Sequence, residues 1–118
     1  MINTVEEIVK KAYEAIDDKK GEDIAVLNVG NISSMADYFV ITSASSERQV
    51  QAIAHNVEDE LEKEGLYVKG KEGHNTSRWI LLDYGDVMVH IFHSEEREFY
   101  NLERLWKDAP YVDIDNLN

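Results

Sequence analysis

The chain contains no cysteine. Disulfides, thiolate zinc sites and cysteine nucleophiles are therefore excluded, and a reducing compartment such as the cytoplasm suits the composition. Long apolar runs are missing too, since no stretch approaches the roughly 18–20 residues of a membrane span. The first residues, Met1 to Glu7, show no basic region followed by an apolar one, so no secretory signal is expected. Positive charge is scarce. Twelve Lys and Arg stand against 24 Asp and Glu, a net charge of −12. The cations are scattered, with Lys10-Lys11, Lys19-Lys20 and Lys69/Lys71 the nearest to clusters. Tight binding to nucleic acid needs clustered cations that release counterions, so no direct, sequence-specific nucleic-acid contact is expected. The acidic excess suits a basic protein partner as well as plain solubility.

What remains is enough for one ordered domain. At 118 residues and 43% hydrophobic, such a chain buries roughly two-thirds of its unfolded surface. Residues 4–18 read as a helix: Thr4 and Glu7 have capping-box spacing, and Val5, Ile8, Val9, Ala12 and Ile16 share one face. Residues 23–29 alternate as a strand. Residues 37–42 form a continuously apolar strand of the kind buried on both faces. A second helix starts from Ser45 or Ser46 as its cap, buries Val50, Ile53, Ala54, Val57 and Leu61, and stops at Gly65. Residues 66–69 read as a short edge strand marked by its lysine, and 72–77 as a polar loop. Residues 79–84 and 87–92 form a hairpin across Gly85-Asp86. A last helix is expected over 94–107, and residues 108–118 are read as a loose acidic tail outside the domain of 1–107. The expected fold is a compact α/β domain with a mixed sheet of about five strands and helices packed on it.

The chemistry-bearing residues give little sign of an active site. His90 and His93 fall on opposite faces of one strand, and His55 and His74 lie elsewhere without the convergence a metal requires. Asp83 and Asp86 flank Gly85, where a tight turn asks for Asp and Gly. Ser43-Ala44-Ser45-Ser46 precedes a helix, but it lacks the glycines and lysine of a phosphate loop and the glycines of a nucleophile elbow. Neither a metal nor a cofactor is expected, and the chain reads as a binding module rather than an enzyme. Trp79, Tyr100 and Trp106 are the aromatics open to either a core or an interface role. Arg97 and Tyr100 are of the types enriched at energetic centres of interfaces.

Four segments in order carry a resemblance. Ala36 to Ile41, Glu72-Gly73 ahead of Trp79, Asp83 to Phe92, and Arg97 to Trp106 together resemble the ribosomal silencing factor family, also called RsfS or Iojap. The likeness runs from the first helix through Trp106. It implies a nucleotidyltransferase-like fold without its catalytic motif, because the chain lacks the Gly-Ser and the Asp-x-Asp metal pair at strand spacing. Asp113 and Asp115 have that spacing only in the tail. The resemblance further implies a translation repressor. It would bind the large ribosomal subunit through large-subunit ribosomal protein fourteen and sterically block joining of the small subunit. A homodimer in the free state is also implied. The expected docking residues are Glu72, Gly73, Trp79, Leu81, Asp83, His90, Arg97, Tyr100 and Trp106. Trp79 and Tyr100 would be apolar anchors, Arg97 a hydrogen-bonding fork, and Glu72 and Asp83 acidic partners for lysines. One departure stands out: Ser43-Ala44 replaces the Thr-Gly of many members. The rival readings are a reduced nucleotide-handling enzyme around Ser45, Ser46 and Asp83, and a large-subunit assembly factor.

Overall fold

Thr4 starts the first helix as expected. Its Oγ1 accepts the Glu7 backbone N–H at 3.2 Å, and helix α1 runs Val5–Asp18 with Ile8, Val9, Ala12, Ala15 and Ile16 buried. The computed structural model describes residues 4–31, 34, 36–73, 78–95 and 110–114. After α1 come β1 (Glu22–Asn28), β2 (Tyr38–Ala44), α2 (Glu47–Lys63), β3 (Gly70–Glu72), β4 (Trp79–Asp83) and β5 (Val87–His93). Gly21 joins α1 to β1 where a Cβ would collide with the Ile16 side chain and with Thr42 Oγ1. That hydroxyl donates to the Glu22 carbonyl at 2.9 Å, so only glycine leaves room for the bond.

The strands form one five-stranded sheet in the order β1-β2-β5-β4-β3. β2 and β5 are its parallel centre, while β1 on β2, β4 on β5 and β3 on β4 are antiparallel. The central strands are largely apolar, with Val40, Val89, Ile41 and Phe92 all fully buried. Both helices lie on one face. There Val26, Val40, Ala44, Ile80, Leu82, Val87, Val89 and Ile91 meet the apolar stripes of α1 and α2. The alternate residues Ala25, Leu27, Phe39, Ile41, Met88 and Phe92 form a second cluster on the opposite face. Helix α2 is capped by Ser46, whose side chain accepts from Gln49 N–H at 3.2 Å. At its end, Gly65 takes a left-handed φ of 83° while the Gly65 and Leu66 amides close on Glu62 and Leu61, a glycine stop.

Two expectations need correction. The edge strand is not 66–69 but Gly70–Glu72. Leu66 is tied into the helix stop, and Leu66 and Val68 pack into the helix-side core without joining the ladder. The segment 110–114 is not loose. Pro110 accepts from Asn28 N–H at 3.0 Å, Val112 donates to the Val26 carbonyl at 2.8 Å, and Tyr111 bridges Leu27 antiparallel. Val112 and Ile114 then pack on the helix-side core. This short segment shields the outer edge of β1, which would otherwise present unpaired backbone. Of the last helix, Ser94 and Glu95 are helical; the rest of 94–107 lies outside the described residues.

Candidate functional site

Sheet register converts a scattered set of residues into one surface. Glu72 pairs with Leu81, Leu81 with His90, and His90 with Ile41. One strand-step away Trp79 pairs with Phe92, and on the other side Asp83 pairs with Met88. Residues opposite one another across a ladder share a face. Trp79, Leu81, Asp83, His90 and Glu72 therefore all stand on the face turned away from α1 and α2. Its middle is aromatic and apolar, and its β3–β4 margin is acidic.

The middle is built around His90. Trp79 stacks on Phe92 with ring centroids 4.9 Å apart and planes 24° from parallel. Its Nε1–H donates to His90 Nδ1 at 3.2 Å. Phe39 meets the imidazole edge-on at 4.8 Å. His90 is only 5% exposed, and burial pushes its pKa down to about 4, so the ring is neutral near pH 7. Because Nδ1 accepts, the single ring proton sits on Nε2. That nitrogen has no hydrogen-bond partner, an arrangement that costs about 1–3 kcal/mol. The expectation that His90 itself meets a partner is thus revised: its imidazole is interior and lies behind Trp79.

At the margin, Glu72 is exposed and Asp83 half-buried. Asp83 Oδ1 accepts the Gly85 N–H at 2.8 Å, and Gly85 has a left-handed φ of 86°. Asp83 is therefore a turn residue, as its spacing predicts, while remaining on the candidate face. Asp86 is exposed, and its carbonyl accepts the amides of Asp37 and Tyr38. Gly73 has a φ of +80°, and a Cβ there would run into the Trp79 carbonyl. Its presence is explained by that close approach, which seats the chain against the start of β4. Trp79 and Leu81 are half-buried, packed against the second cluster.

Arg97, Tyr100 and Trp106 lie outside the described residues, as do His74 and Asp115. Of the other histidines, His55 is exposed and 3.3 Å from Asp59, and His93 Nδ1 accepts from Glu95 N–H at 3.3 Å. Ser46 is occupied as a helix cap. Ala44 ends β2 fully buried and without a left-handed backbone, so replacement of a glycine there calls for no strained turn. Sequence reasoning missed Phe39, Met88 and Phe92 as members of the buried cluster on this face, Phe92 being the ring on which Trp79 stacks. The period-two spacing of Met88, His90 and Phe92 was the available signal.

Comparison with known proteins gives a consistent answer. The family model described as "Ribosomal silencing factor during starvation" matches residues 2–118, a span that includes the segment after 107 expected to fall outside the likeness. The chain is 51% identical over 108 residues to the ribosomal silencing factor RsfS of Bacillus subtilis, covering 92% of each. It is 46% identical over 112 residues to the protein of that name from Halalkalibacterium halodurans, covering 95% of this chain and 96% of the relative. A crystal structure of a Chromobacterium violaceum protein superposes with a TM-score of 0.87 at 37% identity, over 89% of this chain and 88% of that one.

Proposed function

Because the chain belongs to the ribosomal silencing factor family, we propose that it represses translation as a mask on the large ribosomal subunit. It docks through large-subunit ribosomal protein fourteen and sterically blocks joining of the small subunit. The supporting observation is the single sheet face that gathers Trp79 and Leu81 beside the carboxylates of Glu72 and Asp83. An aromatic and aliphatic centre supplies the apolar anchor of an interface, and an acidic margin selects a basic protein. The net charge of −12 adds repulsion from RNA, so the chain favours one protein contact over diffuse adhesion to the ribosome. A mask requires affinity and bulk rather than a catalytic group. A body of 33 × 33 × 25 Å can hide the roughly 800 Å² per partner of a standard interface. The site of action is the cytoplasm, where the subunits meet.

The test is sedimentation through sucrose with purified large subunits, followed by addition of small subunits. Co-sedimentation with the large subunit and loss of joined ribosomes is the expected result. Absence from the large-subunit peak sinks the reading, and binding without a block points to assembly instead. A homodimer of the free chain on this same face would compete with docking, which light scattering at rising concentration measures.

A further inference from the structure

Taking the docking role of this face as its premise, we propose that His90 is a positioning residue. Its Nδ1 holds the Trp79 indole on the sheet in the orientation that meets the partner, while His90 itself touches nothing outside the chain. Three observations carry this. The Trp79 Nε1–H to His90 Nδ1 bond measures 3.2 Å, and the indole is held a second time by its stack on Phe92. The imidazole is in turn fixed from the side by Phe39, so the acceptor cannot swing away from the indole.

The third observation is an imbalance. Every neighbour of His90 across the sheet is apolar: Ile41 on one side, Leu81 on the other, Met88 and Phe92 two residues away on its own strand. A purely structural residue in that setting would be another apolar one, since it would leave no donor stranded. A histidine there spends a buried, unpartnered Nε2–H to present one acceptor, and that acceptor is aimed at Trp79. The arrangement also sets what the partner meets. With its N–H directed inward to His90, the indole keeps no donor for a partner. On the same face stand Glu72 and Asp83. Such a surface suits the aliphatic stem and terminal charge of a lysine or arginine.

The experiment uses the full chain and large subunits purified from Bacillus subtilis. The chain has two tryptophans, so a ¹H–¹⁵N spectrum assigned with Trp79→Phe isolates the Trp79 indole N–H. The expected signal is downfield and slow to exchange. His90→Phe should move it upfield and weaken subunit binding by roughly fivefold or more, the loss typical of an interface anchor. His90→Asn, whose Oδ1 falls near the position of Nδ1, should restore both. A folded His90→Phe that leaves the signal and the binding unchanged overturns the assignment. Should His90→Phe fail to fold, the imidazole nitrogen shifts of the unsubstituted protein decide: an Nε2–H tautomer is required, and an Nδ1–H tautomer overturns the proposal. The premise fails separately, if the unsubstituted protein does not bind the subunit at all. Binding that is lost in Trp79→Ala but kept in a folded His90→Phe removes only the role of His90.

Discussion

The two faces of this sheet are cut from the same strands, yet they are built for different ends. Toward the helices stand Ile80, Leu82, Val87, Val89 and Ile91, aliphatic and fully or almost fully buried. On the other face the alternating positions are Trp79, Leu81, Asp83, Met88, His90 and Phe92. Both faces hold one stranded polar atom among the described residues, the Tyr84 hydroxyl on the helix side and His90 Nε2 on the other. The Tyr84 oxygen tips a ring that fills the core beside Glu58 and Glu62, and burial followed by those charges raises its pKa. His90 instead uses its second nitrogen to hold a neighbour. The lesson is that shape and apolar volume suffice for holding a fold, whereas the face proposed for docking keeps polar atoms in fixed places and accepts a loss of stability for them.

The contrast predicts which substitutions unfold the protein and which disarm it. Leu82→Ala, deep in the helix face, should destabilise by about 2–5 kcal/mol in urea unfolding while the folded fraction still binds the large subunit. A loss under 1 kcal/mol would break the distinction from that side. Next comes acid. His90 ordinarily titrates at 6.5, and burial lowers it to about 4, so the unfolded chain holds a proton that the folded chain refuses between those values. Stability is therefore intact above pH 6.5 and falls as pH drops toward 4, by about 3 kcal/mol over the full window. Because carboxylates also titrate near its lower end, the measurement is the difference between the unsubstituted protein and His90→Asn, which should lack this component. Equal acid sensitivity in the two would show that the imidazole is not held neutral by burial.

Trp79→Ala probes the other face. It should cost more than about 1 kcal/mol of large-subunit binding, roughly fivefold or more, read by sedimentation on protein whose folding is checked separately. Unchanged affinity would remove Trp79 from the docking face. The smallest effect is expected at a site belonging to neither face. Ser46→Ala deletes the α2 cap and should lower stability by about 1 kcal/mol with binding untouched.

Much of the fold was legible where local chemistry and burial agree. Thr4 with Glu7, Ser46, and Gly65 marked the helix ends because caps are decided by residues within one turn of each other. The hairpin was legible because Asp83 and Gly85 carry the turn in their own side chain and backbone. The edge strand was misplaced by several residues, since Leu66 and Val68 look like strand yet answer to the helix-side core. A three-residue strand has no pattern of its own; β4 selects it by pairing Glu72 with Leu81. The segment at 110–112 was equally invisible, because Pro110 and Val112 read as tail until the open edge of β1 gives their backbone groups partners.

The candidate site divides the same way. Sequence alone determined the acidic charge, the absence of thiol chemistry, the two capped helices and the apolar central strands, all properties of composition or of neighbours along the chain. The family resemblance, rather than composition or spacing, singled out Trp79, Leu81, Asp83, His90 and the Glu72-Gly73 pair as residues of interest. Only the tertiary structure decided that these share one face, that Gly73 is required by the carbonyl of Trp79, and that the His90 imidazole is buried and accepts the indole N–H. The reason is physical: a residue's burial and its hydrogen-bond partner depend on which strand lies beside it and in what register, and register is fixed by the pairing of segments distant in the chain.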